Sequence, residues 1–252
     1  MGAKDPAGSM YGWRARIGWI CSMTVIEATP YEYFRIAPEG IGFAFASLLK
    51  RDQSPEETEA ALKRLPDVAE QMGKRGMDYI IVNSSPTVIY GGPGSDRKII
   101  QQVEQAAGCP ATTTTTAGIN ALRAINAERI VFASPYANQH AKLKEFLEAE
   151  GFTVLAERGL KNPLSEVGRL PGELSYSLCK QAFSAAPDAQ AVYLAGGLLR
   201  AIDSIERIEQ DLGVPVIASQ PASLWSAMRT LRIQETIPGY GRLLAQMPPM
   251  PS

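Results

Sequence analysis

Short apolar runs alternate with helical stretches along most of the chain, and this alternation restricts the fold more than any other feature. Runs that read as strands include RIGWIC (16–21), YIIV (79–82), RIVFAS (129–134) and AVYL (191–194). Stretches with the 3.6-residue periodicity of helices separate most of these runs. Strands that alternate with helices are typical of βαβ units, which build parallel sheets. The sequence therefore predicts an α/β protein.

Two segments share one layout, which predicts an internal duplication. EQAAGCPATTTTTAGINAL (104–122) and EQDLGVPVIASQPASLWSA (209–227) each begin with Glu-Gln and a helix end at glycine. In each, x-Pro, a short strand, small polar residues and a helix then follow. The five threonines at 112–116 are accordingly read as a strand end and a helix N-cap. Chance similarity is the alternative, because x-Pro strands are common in α/β proteins.

Composition and charge argue against several classes of protein. The formal net charge is −1, so neither nucleic acid nor a membrane surface is an expected partner. No apolar run reaches the roughly 18 residues of a membrane span. Three cysteines without CxxC spacing predict a reducing compartment, and we expect a cytoplasmic protein. The single histidine, His140, makes a zinc or other metal site unexpected, and we interpret it as an exposed residue of an amphipathic helix.

One candidate anion site lies in AVYLAGGLLRAI (191–202). Gly196 and Gly197 follow a strand and precede a predicted helix over 199–212. Their N–H groups and the positive end of the helix dipole are expected to face a negatively charged ligand. The alternative is that the two glycines only allow the helix to pack closely against the strand.

A second candidate lies at the corresponding place after the strand at 79–82, where Asn83, Ser84 and Ser85 offer donors. If two related halves face each other, both loops lie at the carboxyl ends of strands, where such sheets bind ligands. Two facing sets of donors suit a small carboxylate, or an enolate formed from one. The serines could equally serve only as helix caps.

Three further residues near predicted strand ends are candidates. Tyr136 in FASPYANQ follows a strand, so its hydroxyl could point into the same cleft, or its ring could simply be packed. Ser22 and Thr24 follow the first strand and are predicted to contact the ligand. Cys21 is the thiol nearest to a strand end, and a structural role is the alternative to a reactive one.

Several long segments resemble the aspartate/glutamate racemase superfamily. The segments at 112–151 and 195–229 and the ending PGYGRLL are similar to arylmalonate decarboxylase, whereas IGWICSMTVIE (17–27) is more similar to maleate cis–trans isomerase. The resemblance covers nearly the whole chain from about residue 14. It implies two flavodoxin-like halves with parallel sheets, related by a pseudo-two-fold axis, with the active site in the cleft between them.

The domain boundaries follow from that expectation. We predict a first half formed by residues 14–114 with 221–252, and a second half formed by residues 115–220. Residues 1–13 are predicted to be a disordered leader or tag, because MGAKDPAGSM is small and polar.

The resemblance also implies cofactor-free chemistry, in which one cysteine in each loop moves protons or attacks the substrate. Here Ser84 stands at the position of the first cysteine, and Ala195 at the position of the second, immediately before Gly-Gly. Pro86 aligns with a serine of the decarboxylase, and Met23 with the substrate-binding asparagine of the isomerase.

Other parts of the family's site are matched. Tyr136 aligns with the oxyanion-binding tyrosine of the decarboxylase, Gly196 with its glycine donor, and Ser85 with a threonine of the family. A reaction limited by carbanion stabilisation, with water as the final acid, could tolerate the loss of both thiols. Such a loss costs about 10²–10⁴ in rate when the proton donor matters.

The expected function is therefore a lyase, nearest to a decarboxylase, that acts on a small carboxylic or dicarboxylic acid without a cofactor. Catalysis is assigned to Ser84, Ser85 and Tyr136, and substrate binding to Asn83, Pro86, Ala195, Gly196, Gly197, Ser22 and Thr24. Val88, Ile89 and Leu198 are expected to supply an apolar pocket. An isomerase or other enzyme of this fold, and a non-catalytic binder of small acids, remain alternatives. Homo-oligomerisation is left open.

Overall fold

The computed structural model describes residues 11–83 and 85–251, and it contains two parallel sheets of four strands each. The first sheet has the spatial order β2-β1-β3-β4 and comprises β1 (Ala15–Met23), β2 (Ile41–Lys50), β3 (Tyr79–Asn83) and β4 (Ala111–Thr113). The second has the order β6-β5-β7-β8 and comprises β5 (Arg129–Ser134), β6 (Thr153–Gly159), β7 (Ala191–Leu194) and β8 (Val216–Ala218). The predicted α/β class is confirmed, and both sheets follow one strand order.

Helices connect the strands and pack on both sheets. The first group is α1 (Ala28–Ile36), α2 (Pro55–Lys74), α3 (Ser85–Gly91), α4 (Ser95–Ala107) and α5 (Thr114–Ala124). The second group is α6 (His140–Ala149), α7 (Leu164–Val167), α8 (Glu173–Ala185), α9 (Ile205–Leu212), α10 (Ser219–Thr230) and α11 (Arg242–Gln246). A 3-10 turn, Ala137–Gln139, precedes α6. Among these helices, none has the length and hydropathy that crossing a membrane requires.

The two similar sequence segments form equivalent elements. The first gives β4 and α5, and the second gives β8 and α10. Thr113 caps α5, since its Oγ1 accepts a hydrogen bond of 3.0 Å from the Thr116 N–H. The threonine run is thus a strand end and a helix cap, as predicted. Because α5 and α10 pack directly against each other, the two segments lie side by side at the centre of the molecule.

The second sheet shows how the core is divided. Ile130, Phe132 and Tyr193 face a large central core that also contains residues of the first sheet, such as Ile17. The alternate positions, including Val192, face a smaller cluster beneath α8 and α9. This two-residue alternation is what a strand covered on both faces requires. The central core therefore joins the two sheets.

Two helical predictions differ from the structure. The predicted helix over 199–212 begins only at Ile205, and the preceding residues form turns. The N–H groups of Ala201 and Ile202 donate to the buried carboxylate of Glu32 instead of entering a helix. The sequence does not predict α1, whose buried face mixes polar Thr29 and Glu32 with Tyr33 and Ile36.

At the N-terminus, Tyr11 is hydrogen-bonded to the edge strand β2. Its hydroxyl accepts from the Phe43 N–H at 2.9 Å and donates to the Phe43 carbonyl at 3.3 Å. Residues 1–10, most of the predicted leader, lie outside the described residues. The division into a first half (14–114 with 221–252) and a second half (115–220) stays a prediction.

The contact between α5 and β7 gives a first testable prediction. A Cβ added to Gly118 of α5 would lie 2.7 Å from both Cε2 and Oη of Tyr193, whose side chain is fully buried and has no room to move. We expect Gly118→Ala to lower the free energy of unfolding by about 1–3 kcal/mol, as overpacking does. Denaturant unfolding measures this change. In a Tyr193→Leu background the same substitution should cost clearly less, and an equal cost would contradict the packing explanation.

Candidate active site

The loops that follow β3 and β7 meet in the structure. Asn83 ends β3 beside Cys21 of β1, and its Oδ1 accepts a hydrogen bond of 3.4 Å from Thr114 Oγ1. A Cβ built on Gly197 would lie 3.2 Å from Nδ2 of Asn83. The two loops predicted to carry ligand donors therefore lie against each other.

The first loop is only partly described. Ser84 lies outside the described residues, so its predicted role stays a prediction. Ser85 is the first residue of α3, and Pro86 follows it as a buried residue. Further along α3, Val88 and Ile89 belong to the central core rather than to the wall of a cavity.

The second loop differs from its prediction in two respects, the start of the helix and the partner of the Gly196 amide. The expectation that a helix starts directly after Gly196 and Gly197 is wrong, so no helix dipole acts at this turn. Gly196 adopts a φ of +100°, a conformation that favours glycine, and its N–H donates to Ser219 Oγ at 3.0 Å. The N–H of Ala195 donates to the Ala133 carbonyl at 2.8 Å. Two of the three amides of this loop are therefore already bonded.

Gly197 provides the remaining amide. Its carbonyl accepts hydrogen bonds from Thr29 Oγ1 at 2.9 Å and from Gln220 Nε2 at 2.8 Å, which fix the peptide plane. Within residues 11–83 and 85–251, the Gly197 N–H has no hydrogen-bond partner. It is the donor of the second loop that a ligand could use.

Tyr136 lies against the Gly196 turn. A Cβ on Gly196 would be 2.7 Å from Tyr136 Cε2, so only glycine allows this close approach. Burial raises the pKa of the Tyr136 phenol, and the nearby Cys21 sulfur raises it further when charged. The phenol is therefore protonated at neutral pH and can donate a hydrogen bond. Tyr136 lines a cavity of about 390 Å³, together with Pro135 and Gln53 among others.

The interpretation of His140 as an exposed residue is wrong, because only 7% of it is accessible. Its Nε2 lies 2.9 Å from Ser134 Oγ, and its ring meets Phe132 edge-on with centroids 4.9 Å apart. Ser134 Oγ also accepts the N–H of Tyr136 at 3.1 Å. Burial lowers the pKa of the imidazole, which keeps it neutral. His140 and Ser134 thus hold the turn that carries Tyr136. No hydrophobic periodicity in the sequence predicts this pairing.

The loop after β1 contributes one buried and one exposed candidate. Ser22 is buried at the end of the strand, whereas Thr24 is exposed and binds the Lys50 carbonyl through its N–H (2.9 Å) and its Oγ1 (3.1 Å). Thr24 and Met23 line a second cavity of about 450 Å³, which also includes Leu198 and Gln53. Because Gln53 borders both cavities, they adjoin each other. Leu198 supplies an apolar wall, as predicted.

The three cysteines are free thiols with different surroundings. Burial raises the pKa of Cys21 to about 11, only partly offset by a hydrogen bond with the backbone of Met23. Burial likewise raises the pKa of Cys179 to about 12 and that of Cys109 to about 11. Of the three cysteines, Cys21 is the one whose charge contributes to the pKa of Tyr136. At neutral pH the Cys21 thiol is protonated, which makes it a poor nucleophile.

Helix α1, which the sequence reading missed, holds the second loop in place. Thr29 binds the Gly197 carbonyl, and Glu32 Oε1 accepts the N–H groups of Ala201 (2.8 Å) and Ile202 (3.4 Å). Glu32 is 1% exposed, and burial raises the pKa of its carboxyl to about 7 despite these hydrogen bonds. The carboxyl group therefore titrates near neutrality while it supports the loop.

The amino-acid sequence of the chain is similar to those of known enzymes. Residues 24–244 match the family model described as arylmalonate decarboxylase. The chain is 30% identical to the arylmalonate decarboxylase of Bordetella bronchiseptica over 217 residues, which cover 85% of this chain and 90% of the relative. It is also 30% identical to the maleate isomerase of Nocardia farcinica over 216 residues, covering 82% and 86% of the two chains.

Solved structures show the same fold. A double mutant of arylmalonate decarboxylase in its liganded form superposes with a TM-score of 0.85 and 29% identity, covering 92% of this chain and 99% of that chain. A mutant of the Nocardia farcinica maleate cis–trans isomerase, with a covalently bound succinylcysteine intermediate, gives a TM-score of 0.83 and 25% identity. That match covers 92% of this chain and 98% of the isomerase.

The contact of Glu32 with the second loop gives the next prediction. Since the pKa of this carboxyl rises from 4.5 to about 7 on folding, its contribution to stability is complete below pH 4.5 and is lost as the pH rises through 7. The loss is of the order of 3 kcal/mol. Glu32→Gln cannot titrate at this position. Between pH 4.5 and pH 8 its free energy of unfolding should therefore rise relative to that of wild type by about this amount.

Denaturant unfolding followed by tryptophan fluorescence at several pH values measures the difference between the two proteins. Glu39→Gln, at an exposed position before β2, is the matched control and should leave the wild-type pH dependence unchanged. A constant difference between Glu32→Gln and wild type at every pH would contradict the assigned titration.

Proposed function

The chain belongs to the arylmalonate decarboxylase family, and on that premise we propose that this enzyme is a cofactor-independent lyase that decarboxylates a small dicarboxylic acid. The scissile C–C bond breaks, carbon dioxide leaves, and the electron pair forms an enediolate with the remaining carboxylate. A proton then adds to the α-carbon, so that a dicarboxylate dianion and one proton give a monocarboxylate anion and carbon dioxide.

The observation that carries the proposal is a protonated, buried Tyr136 beside two loops that meet. The phenol is protonated at neutral pH, as an ordinary tyrosine is, and can donate a hydrogen bond to the enediolate; burial raises its pKa further. The Gly197 N–H provides a backbone donor without a protein partner in the described part of the chain. Fixed donors of this kind stabilise a developing oxyanion more strongly than water, since they need not reorient.

Other members of the predicted site take supporting roles. Asn83 Nδ2 faces Gly197 and is suited to bind the carboxylate that stays on the substrate. We assign the same role to Ser84 and Ser85, which follow Asn83 in the sequence. Gly196 acts through its conformation, because its amide is bonded to Ser219. Thr24 lines the cavity of about 450 Å³, and we assign substrate binding to it and to Ser22, which is buried at the end of β1. We also assign a role in shaping the first loop to Pro86.

Decarboxylation is favoured over a covalent route by the state of the thiols. The related isomerase structure holds a succinylcysteine, which requires a cysteine able to attack the substrate. Here Ala195 precedes the glycines of the second loop, and Cys21 is protonated at neutral pH because its pKa is about 11. Because position 195 is an alanine and offers no thiol as proton donor, we assign the final protonation to water.

An isomerase or another enzyme that uses Cys21 is the second candidate, and one observation favours it. The Cys21 sulfur lies close enough to Tyr136 to change the pKa of the phenol, so the thiol belongs to the neighbourhood of the proposed donors. Cys21→Ala distinguishes the two functions. The decarboxylase proposal predicts that activity is retained, and loss of an identified activity would favour the second candidate.

The main experiment measures turnover of substituted malonates in D₂O, with release of carbon dioxide and deuteration at the α-carbon as readouts. Tyr136→Phe should lower kcat/KM by about 10²–10³, since it removes one oxyanion donor. Tyr176→Phe, whose hydroxyl binds Asp211 on α9 away from the site, is the matched control and should be unchanged. No release of carbon dioxide and no deuteration over the panel would overturn the proposal, and stabilisation by the acids without turnover would indicate a binder.

A second prediction concerns the proton donor. Ala195→Cys places a thiol immediately before Gly196, and it should raise kcat by up to about 10²–10⁴ if protonation limits the rate. Chiral chromatography of the product from a prochiral malonate provides a second readout. Wild type should give a nearly racemic product, because water can reach either face, whereas the variant should enrich one enantiomer. Ala195→Ser is the control, and an enantiopure product from wild type would show that a protein group already donates the proton.

A further inference from the structure

Lys50 is a buried cation beside the proposed substrate cleft. It ends β2 in register with Met23 at the end of β1, and only 1% of the residue is exposed. Lys50 is among the residues that line the cavity of about 450 Å³, together with Thr24, Gln53 and Leu198. Leu198 directly follows Gly197, so this cavity extends from the proposed donors to Lys50.

The ammonium group has a neutral partner only. Lys50 Nζ donates to Gln53 Oε1 at 2.9 Å, and no carboxylate among the described residues lies within 4.0 Å of it. Asp52 and Glu57 act on it from a longer distance, and both are engaged elsewhere. Asp52 accepts the Ser54 N–H, and Glu57 binds the Arg51 guanidinium.

Glu27 is the remaining carboxylate on this cavity. It is exposed, and its carboxylate lies against the backbone of Gly168 rather than against Lys50. Removing an ammonium group from water without an opposite charge is energetically unfavourable. Burial accordingly lowers the pKa of Lys50. A bound anion would offset this cost, whereas an apolar ligand group would leave it in place.

We propose that Lys50 binds a carboxylate on the substituent of the substrate's reacting carbon. The preferred substrate is then a small aliphatic acid with a third carboxylate, rather than an acid with an aryl substituent. The assignment of the reacting carbon rests on the proposed function, but binding of the anion by Lys50 does not. Lys50 supplies charge-assisted hydrogen bonds. Its ammonium group donates to Gln53, a residue that lines the same cavity.

The test compares two malonates with the same reacting group, carboxymethylmalonate and phenylmalonate. Wild type should prefer carboxymethylmalonate, both in affinity measured by calorimetry and in kcat/KM. Lys50→Met should weaken binding of carboxymethylmalonate by about 10- to 100-fold and leave phenylmalonate unchanged or bound more tightly. Arg51→Met is the matched control, because Arg51 lines the same cavity but is exposed and paired with Glu57.

A second variant covers the case in which Lys50→Met does not fold, which thermal unfolding reveals. Gln53→Glu keeps Lys50 and supplies it with a carboxylate partner, so it should also weaken binding of carboxymethylmalonate selectively. Equal affinity of wild type, Lys50→Met and Gln53→Glu for carboxymethylmalonate would overturn the inference. Binding that depends on Lys50 without release of carbon dioxide would support it and overturn the proposed function. Turnover of phenylmalonate with no preference for carboxymethylmalonate would support the proposed function and overturn the inference about Lys50.

Discussion

The close approach of the Gly196 turn to the Tyr136 ring is the contact on which the site depends. It requires a positive φ and the absence of a Cβ at position 196, and it requires that Tyr136 be held from behind by Ser134 and His140. This contact connects the end of β5 with the end of β7. The central core then brings the same edge of the second sheet toward Asn83 on the first, and the two loops lie against each other as a result.

Much of the fold was predictable because its signals are local. The strands at 79–82 and 191–194 are apolar runs of the right length, and the Thr113 cap is visible as a strand end followed by small polar residues. The start of α9 was not predictable, because the residues before Ile205 have helical periodicity while two of their amides bind Glu32, far away in the sequence. Tertiary contact overrode local preference there.

The site shows the same division between local and distant information. Asn83, Tyr136 and Gly197 were found from their positions at strand ends, and the structure brings them to the predicted edge. His140 was misread because its polar sequence neighbours suggest exposure, whereas its partner Ser134 ends a strand six residues earlier. Lys50 was missed for a related reason. A lysine that ends a strand is expected to be solvated, whereas in the structure Lys50 is buried beside Met23, its register partner at the end of β1.

The buried carboxyl of Glu32 has a consequence for kinetic work on this family member. A pH–rate profile with an inflection near 7 is normally attributed to an acid or base that exchanges a proton with the substrate. In this enzyme such an inflection would arise from a group on α1 whose ionisation alters the support of the 201–202 backbone. The inflection would then report a change in loop conformation. A mechanism derived from it would wrongly assign a proton transfer between the enzyme and the substrate.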